Sequence, residues 1–143
     1  MSYQTMKEAI RARYIAKVLA VKEIPTQYDN QEEGDDFKKP ESGLWVRCSI
    51  LPALPDQKDI CETPRIETPG IVQFSVFCPI GDGDKASTEL ADVIKNAFQL
   101  VTTTDGFTYT LPGIGQGSRD GKWWKIDVRC PFTFDEQVSF GEQ

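Results

Sequence analysis

The sequence predicts a single α+β domain over residues 1–143, with two amphipathic helices packed on one face of a predominantly antiparallel sheet of four or five strands. Three observations carry that reading. Val72, Phe74, Val76, Cys78 and Ile80 recur at every second residue. Beyond the short turn Gly81–Asp84, Ala86, Leu90, Val93, Ile94, Ala97 and Phe98 recur at three and four, so a strand delivers the chain into an amphipathic helix. Leu44–Ile50 and Trp124–Phe134 repeat the period of two, and residues 6–19 repeat the helical period. At 143 residues the chain supports one core and is short for two enzymatic lobes.

The first helix has Thr5 and Glu8 at capping-box spacing, then Met6, Ile10, Tyr14 and Val18 in an i,i+4 line with Ile15 and Leu19 beside it. Pro25 ends it near Lys22. A short extended piece near Ile24–Tyr28 leads into a polar, acid-rich loop over residues 26–42. The first long strand sets Leu44, Val46, Cys48 and Ile50 against Trp45, Arg47, Ser49 and Leu51, and Pro52 and Pro55 close it. Residues 53–69 read as an irregular excursion with the length of an arm or a hairpin tip. Gly70 opens the next strand, whose Pro79 suits an edge or a strand end. Asp84 is placed to cap the second helix, which runs to Phe98. Phe107, Tyr109 and Leu111 alternate into a GIGQG turn, read as a hairpin connection. In the last strand, Trp124, Ile126, Val128, Cys130, Phe132 and Phe134 share one side, and Trp123, Lys125, Asp127, Arg129 and Thr133 the other. Pro131 restricts its pairing in a sheet centre. With both helices on one face, the other is left partly open, and Trp45, Phe77 and Trp123 are expected there as exposed contact residues.

Composition removes much chemistry. The chain has no histidine, which excludes Ser-His and Cys-His nucleophilic sites, histidine metal ligands and an imidazole base within it. Cys48, Cys78 and Cys130 alternate with bulky apolar neighbours and read as reduced core residues, whereas Cys61 lies in a polar loop. No C-x-x-C pair sets up a zinc site. GDGD lacks the further ligands of a calcium loop and reads as a turn plus helix cap. LPGIGQGSRDGKW has neither Walker nor dinucleotide spacing and leads into a strand. Asp127, between Lys125 and Arg129, reads as part of a salt-bridged face. No catalytic residue, cofactor or metal ligand is assigned. No apolar run is long enough to span a membrane, and the basic N-terminal pattern lacks the features of a secretory signal.

The net charge of −6 opposes a nucleic-acid backbone, although Trp45, Trp123, Arg47 and Arg129 are the residue types of a single-strand stacking platform. That platform, or another adaptor role, is the first alternative, and a small hydrolase the second. Charge is unevenly placed. Residues 1–22 hold five basic side chains and one acid, and residues 23–41 hold seven acids against Lys38 and Lys39. Opposite charges placed so close together fit a surface that meets another copy of the chain.

The N-terminal helix with IRARY, the loop reaching Tyr28-Asp29-Asn30, GLWVRCSILPA (Gly43–Ala53), TPGIVQFSVFCPIGDGDKASTELADVIKNAF (Thr68–Phe98) and KWWKIDVRCPFTFDE (Lys122–Glu136) together resemble the bacteriophage tail terminator family. The resemblance covers nearly the whole chain, through packing and turn residues. It implies a structural subunit of the head-proximal end of the virion tail, assembled in the host cytoplasm. Such subunits form a ring, typically hexameric, that caps the tail tube, stops its polymerisation and provides the surface for head joining. Implied partners are other copies of the chain, the tail tube protein and a head completion or connector protein, with DNA passing through the channel without sequence-specific binding. Ring closure needs two complementary patches per subunit. Arg11, Arg13 and Lys17 of the basic helix, and Glu32, Glu33, Asp35 and Asp36 of the acidic segment, are the candidates for them. Trp45, Arg47, Phe77, Trp123, Lys125 and Arg129 complete the candidate assembly surface, facing the tube or a neighbouring subunit.

Overall fold

The computed structural model describes residues 3–21, 23–29, 40, 43–58, 64–81 and 83–137. In chain order the elements are α1 (Tyr3–Tyr14), a π-helical turn (Ile15–Leu19), β1 (Thr26–Gln27), β2 (Trp45–Pro52), β3 (Asp56–Gln57) and β4 (Arg65–Pro79). They continue with α2 (Lys85–Ala97), β5 (Val101–Thr102), β6 (Phe107–Tyr109), β7 (Gly113–Ile114), β8 (Ser118–Asp120) and β9 (Trp123–Gln137).

Met6, Ile10, Tyr14 and Val18 are all buried, as their spacing requires. In a straight α-helix an i,i+4 line drifts by about 40° per step. The wider π-helical turn, marked by the Ala20 N–H donating to the Ile15 carbonyl at 3.1 Å, takes back part of that drift and keeps Val18 over the core. Ile15, expected beside the stripe, is instead exposed. Thr5 does not cap, because the helix already includes Tyr3. Glu8 accepts a hydrogen bond from Gln4 Nε2 at 3.1 Å. Asp84 stands at the N-cap of α2, but its side chain makes no capping bond. Its carbonyl accepts from Thr88 N–H at 2.9 Å and from the buried Ser87 hydroxyl at 3.0 Å.

The sheet is built on one long ladder. β4 and β9 pair antiparallel from Arg65 opposite Gln137 to Pro79 opposite Trp123. Fifteen residues in each strand make a ribbon of about 50 Å. The main path is β1-β2-β4-β9-β6-β5, with β3 on β4 and β7 and β8 on β9. β1 runs parallel to β2, so the sheet is mixed.

The expected four or five antiparallel strands therefore become nine among the described residues. The additional strands are two or three residues long, too short to show a period. Three of them, β3, β7 and β8, form because β4 and β9 outrun their long partners, and connecting segments pair along the protruding backbone; β1 and β5 extend the sheet at its two edges, on β2 and β6. The expected 53–69 excursion is partly such a segment: β3 folds back on residues 66–67 as a local hairpin. The GIGQG connection does the same, with β8 returning into β9 through a tight Gly121-Lys122 turn.

Pro131 lies inside β9 opposite Ile71. Its carbonyl accepts from Thr110 N–H at 3.2 Å on the flank where β6 has just ended. The missing proline N–H thus falls between β6 and β7, where no ladder partner is required. Gly70 faces Phe132 across the ladder, and a Cβ there would stand 2.6 Å from the Phe132 ring. Only glycine lets that ring lie on the backbone.

Both helices pack on one face. The core joins Met6, Ile10 and Tyr14 of α1 and Leu90, Ala91 and Ile94 of α2 to Val46, Cys48, Val72, Phe74, Val76, Ile126, Val128 and Cys130 of the sheet. An aromatic chain runs through it: Tyr14 stacks on Phe74 at 5.0 Å, Phe74 meets Phe98 at 5.3 Å, and Phe98 meets Tyr109 edge-on at 5.1 Å. The Tyr14 hydroxyl is satisfied by Thr26 Oγ1 at 2.8 Å, which ties α1 to β1. Cys48, Cys78 and Cys130 are free and buried, as expected, while Cys61 lies outside the described residues. Burial pushes the Cys48 and Cys130 thiols up to about 12, with the Asp29 carboxylate adding to the effect at Cys48.

Candidate assembly face

Because side chains alternate across a strand, the residues of β2, β4 and β9 that leave the core form the second face of the sheet. Among the described residues no helix covers it. The register fixes its rows. Trp45, Phe77 and Lys125 lie side by side, then Arg47, Ser75 and Asp127, then Ser49, Gln73 and Arg129, then Leu51, Ile71 and Pro131.

The first row corrects an expectation. Trp45, Phe77 and Trp123 are not exposed: they retain 1%, 1% and 5% of their accessible surface. Register places Trp45 directly against Phe77, stacked at 4.0 Å and 7°, and Trp123 meets Trp45 edge-on at 5.9 Å. The Arg47 guanidinium lies 5.2 Å from the Phe77 ring and 5.6 Å from that of Trp45, and Lys122 Nζ lies 5.7 Å from Trp123. The three rings form a small second core roofed by cationic side chains. A single-strand stacking platform has no open ring here.

The middle rows are polar and cationic. Ser75 Oγ donates to Asp127 Oδ1 at 2.7 Å, Arg47 Nε to Gln27 Oε1 at 3.2 Å and Arg129 Nε to Gln73 Oε1 at 3.3 Å. The salt-bridged face expected around Asp127 is thus a hydroxyl and amide network. Arg47 and Arg129 remain exposed and Lys125 is half-buried. A polar depression of about 420 Å³ opens beside them, lined by Gly113, Ile114, Gly115, Gln116, Asp127 and Arg129. The last row is apolar: Leu51 is 55% exposed and Ile71 37%. Sequence reasoning overlooked these two, although apolar residues on the polar side of an alternating strand are the signal that finds them.

The helix-borne candidates divide. Arg13 Nε donates to the Ala97 carbonyl at 2.8 Å, and its guanidinium lies 5.8 Å from the Phe98 ring and 5.7 Å from that of Tyr109. It closes the C-terminal end of α2 onto α1, an internal role. Arg11 lies over the Tyr28 ring at 4.9 Å, and Lys17 is exposed. Glu32, Glu33, Asp35 and Asp36 lie outside the described residues.

At the Gly81–Asp84 turn, a cleft of about 360 Å³ is bounded by Pro79, Ile80, Gly81, Gly83, Asp84 and Trp124. Gly81 and Gly83 take positive φ there, as a sharp strand-to-helix corner requires. Among the described residues, no three acidic or thiol side chains converge to hold a metal.

A mixed sheet backed by two helices is a scaffold that many proteins share, so comparison with known proteins decides the family. A model of the family described as "Phage tail terminator protein" matches residues 5–132. The chain belongs to the phage tail terminator family. The match takes in α1 from its third residue, all of α2, and all of the sheet except the last five residues of β9. Nine solved chains also match. One of them, whose name states no function, aligns over 100% of this chain and 99% of its own at 21% identity, with a TM-score of 0.67. That likeness shows the fold. No curated protein matches. Family membership makes this tail terminator relative a structural component of the phage tail, placed in the virion tail and assembled with other tail components. The family is structural and non-enzymatic. Among the described residues, no helix is long and apolar enough to cross a membrane.

Proposed function

We propose that this chain is a ring-forming subunit, hexameric in the complete ring, that caps the tail tube, stops its polymerisation and presents the head-joining surface. The observation that carries the reading is the asymmetry of the fold within this family. One face of the sheet is sealed by helices, and the other offers an exposed apolar row beside a cationic strip. An unlayered face with exposed Leu51 and Ile71 supports a protein contact better than a free surface. Rings close through heterologous contacts, which use two different patches of the same subunit. In this reading the tube protein meets one side of the ring and a head completion or connector protein the other. DNA passes through the channel without sequence-specific contacts, and the net charge of −6 keeps it from adhering.

The test is tube growth. Tail tube protein polymerised with this protein should give tubes that carry a ring at one end and do not lengthen when more tube protein is added, as seen by negative-stain microscopy. Tubes that elongate equally with and without it, and bear no end density, would overturn the proposal.

A further inference from the structure

The sequence places the basic half of a subunit contact on α1, but the structure draws Arg13 into the α1–α2 junction and stacks Arg11 on Tyr28. The cations left facing outward together are those of the open sheet face. Arg47, Lys125 and Arg129 lie in its first three rows around one carboxylate, Asp127, which accepts a hydrogen bond from Ser75; Glu67 and Asp135 face each other two rows beyond Ile71 and Pro131, and Asp120 lies opposite Trp123. Both arginines are held through Nε by neutral amide oxygens of Gln27 and Gln73, which orient them and leave the charge undiminished. Among the described residues, neither forms an ion pair with a carboxylate.

The matching charge is found in the sequence. The described residues carry equal numbers of acidic and basic side chains, so the net −6 resides in the rest of the chain, half of it in residues 30–42. That stretch reads NQEEGDDFKKPES. It leaves the described fold after Asp29, which accepts the Ile50 N–H at 3.1 Å on the outer edge of β2, and it rejoins just before β2. Both ends therefore lie at the flank of the sheet, and the cations of β9 lie two strands inward.

Resting on the ring reading above, we propose that the cationic strip of the sheet face, Arg47, Lys125 and Arg129, receives the acidic segment Glu32–Asp36 of the next copy in the ring. The apolar row Leu51, Ile71 and Pro131 lies beside the charged contact and supplies area to bury. Charge selects the partner and its register, and the apolar row holds it. The contact is heterologous, as ring closure requires.

Two charge-reversed chains test this. One carries Lys125→Glu and Arg129→Glu, and the other Glu32→Lys, Glu33→Lys, Asp35→Lys and Asp36→Lys. Ring formation is read by light scattering and microscopy, alone and on tubes, with thermal melts to confirm folding. Each variant alone should form at least tenfold less ring than the wild type. An equal mixture should restore rings, because every contact in an alternating ring then pairs opposite charges. Restoration in a chain carrying both reversals, with none in the mixture, would place the contact within one subunit and overturn the proposal. Rings unaffected by either reversal would overturn it as well. Absence of wild-type rings, even on tubes, would instead defeat the ring reading itself, and this contact with it.

Discussion

Arg13 separates an assembly role from a folding role in one substitution. Arg13→Met keeps most of the aliphatic stem and removes the guanidinium. The 2.8 Å bond from Nε to the Ala97 carbonyl is charge-assisted, and such bonds contribute about 1.5–3 kcal/mol. A cation at the C-terminus of α2 contributes about 0.3–1 kcal/mol, and the contacts with Phe98 and Tyr109 about 0.5–1 kcal/mol. These terms share one group and overlap, so their joint loss is about 2–3 kcal/mol. For a chain of this length each kcal/mol shifts the melting temperature by about 3–5 °C, which gives a fall of roughly 6–15 °C by calorimetry. Well below that melting point the variant should still form rings and cap tubes. A melting temperature within a degree or two of wild type, together with lost assembly, would refute the internal role and return Arg13 to the surface.

Two further outcomes follow from the burial of the second core and the thiols. Trp123→Ser should cost about 3–5 kcal/mol of folding stability, since it empties a site that is 5% exposed and packed on Trp45; an unchanged melt with impaired assembly would show that the indole is available to a partner. Stability should also fall above pH 9, because the Cys48 and Cys130 thiols are raised from 9.0 to about 12 and the folded chain then keeps protons that the unfolded chain has lost. At pH 10 the loss is about 1.4 kcal/mol per thiol, with nothing lost below pH 8; Tyr14 and Tyr109, also raised by burial, act in the same direction at higher pH. Urea melts at pH 8 and pH 10 with the same midpoint would contradict this.

What the sequence made legible follows from how far each signal reaches along the chain. Val72 to Cys78 and Leu90 to Phe98 carry their own periods, so strand, corner and helix are readable without any partner. The burial of Trp45, Phe77 and Trp123 depends on the register between β2, β4 and β9. No local pattern encodes that register, so three large side chains on the polar side of their strands read as exposed. Arg13 reads as surface for the same reason: Ala97, its partner, is remote in sequence, and a basic residue on a helix looks like surface until the helix ends are paired. β7 and β8 have no period of their own and exist because β9 offers unpaired backbone.

The β1–β2 edge of the sheet bears on the proposal that its second face is the assembly surface. Along the outer side of β2, the Val46 N–H donates to the Pro25 carbonyl at 3.0 Å, the Ile50 N–H to Asp29 Oδ2 at 3.1 Å, and Pro52 has no N–H to offer. A strand arriving at this edge finds its donors taken, which is how natural sheets block uncontrolled pairing. In the proposed ring, contact between copies at this flank is left to side chains on the second face, where charge discriminates between partners as backbone cannot. Backbone pairing has no inherent end point, whereas side-chain patches fix the angle between neighbours. A fixed angle is what turns a heterologous contact into a closed ring instead of an open filament.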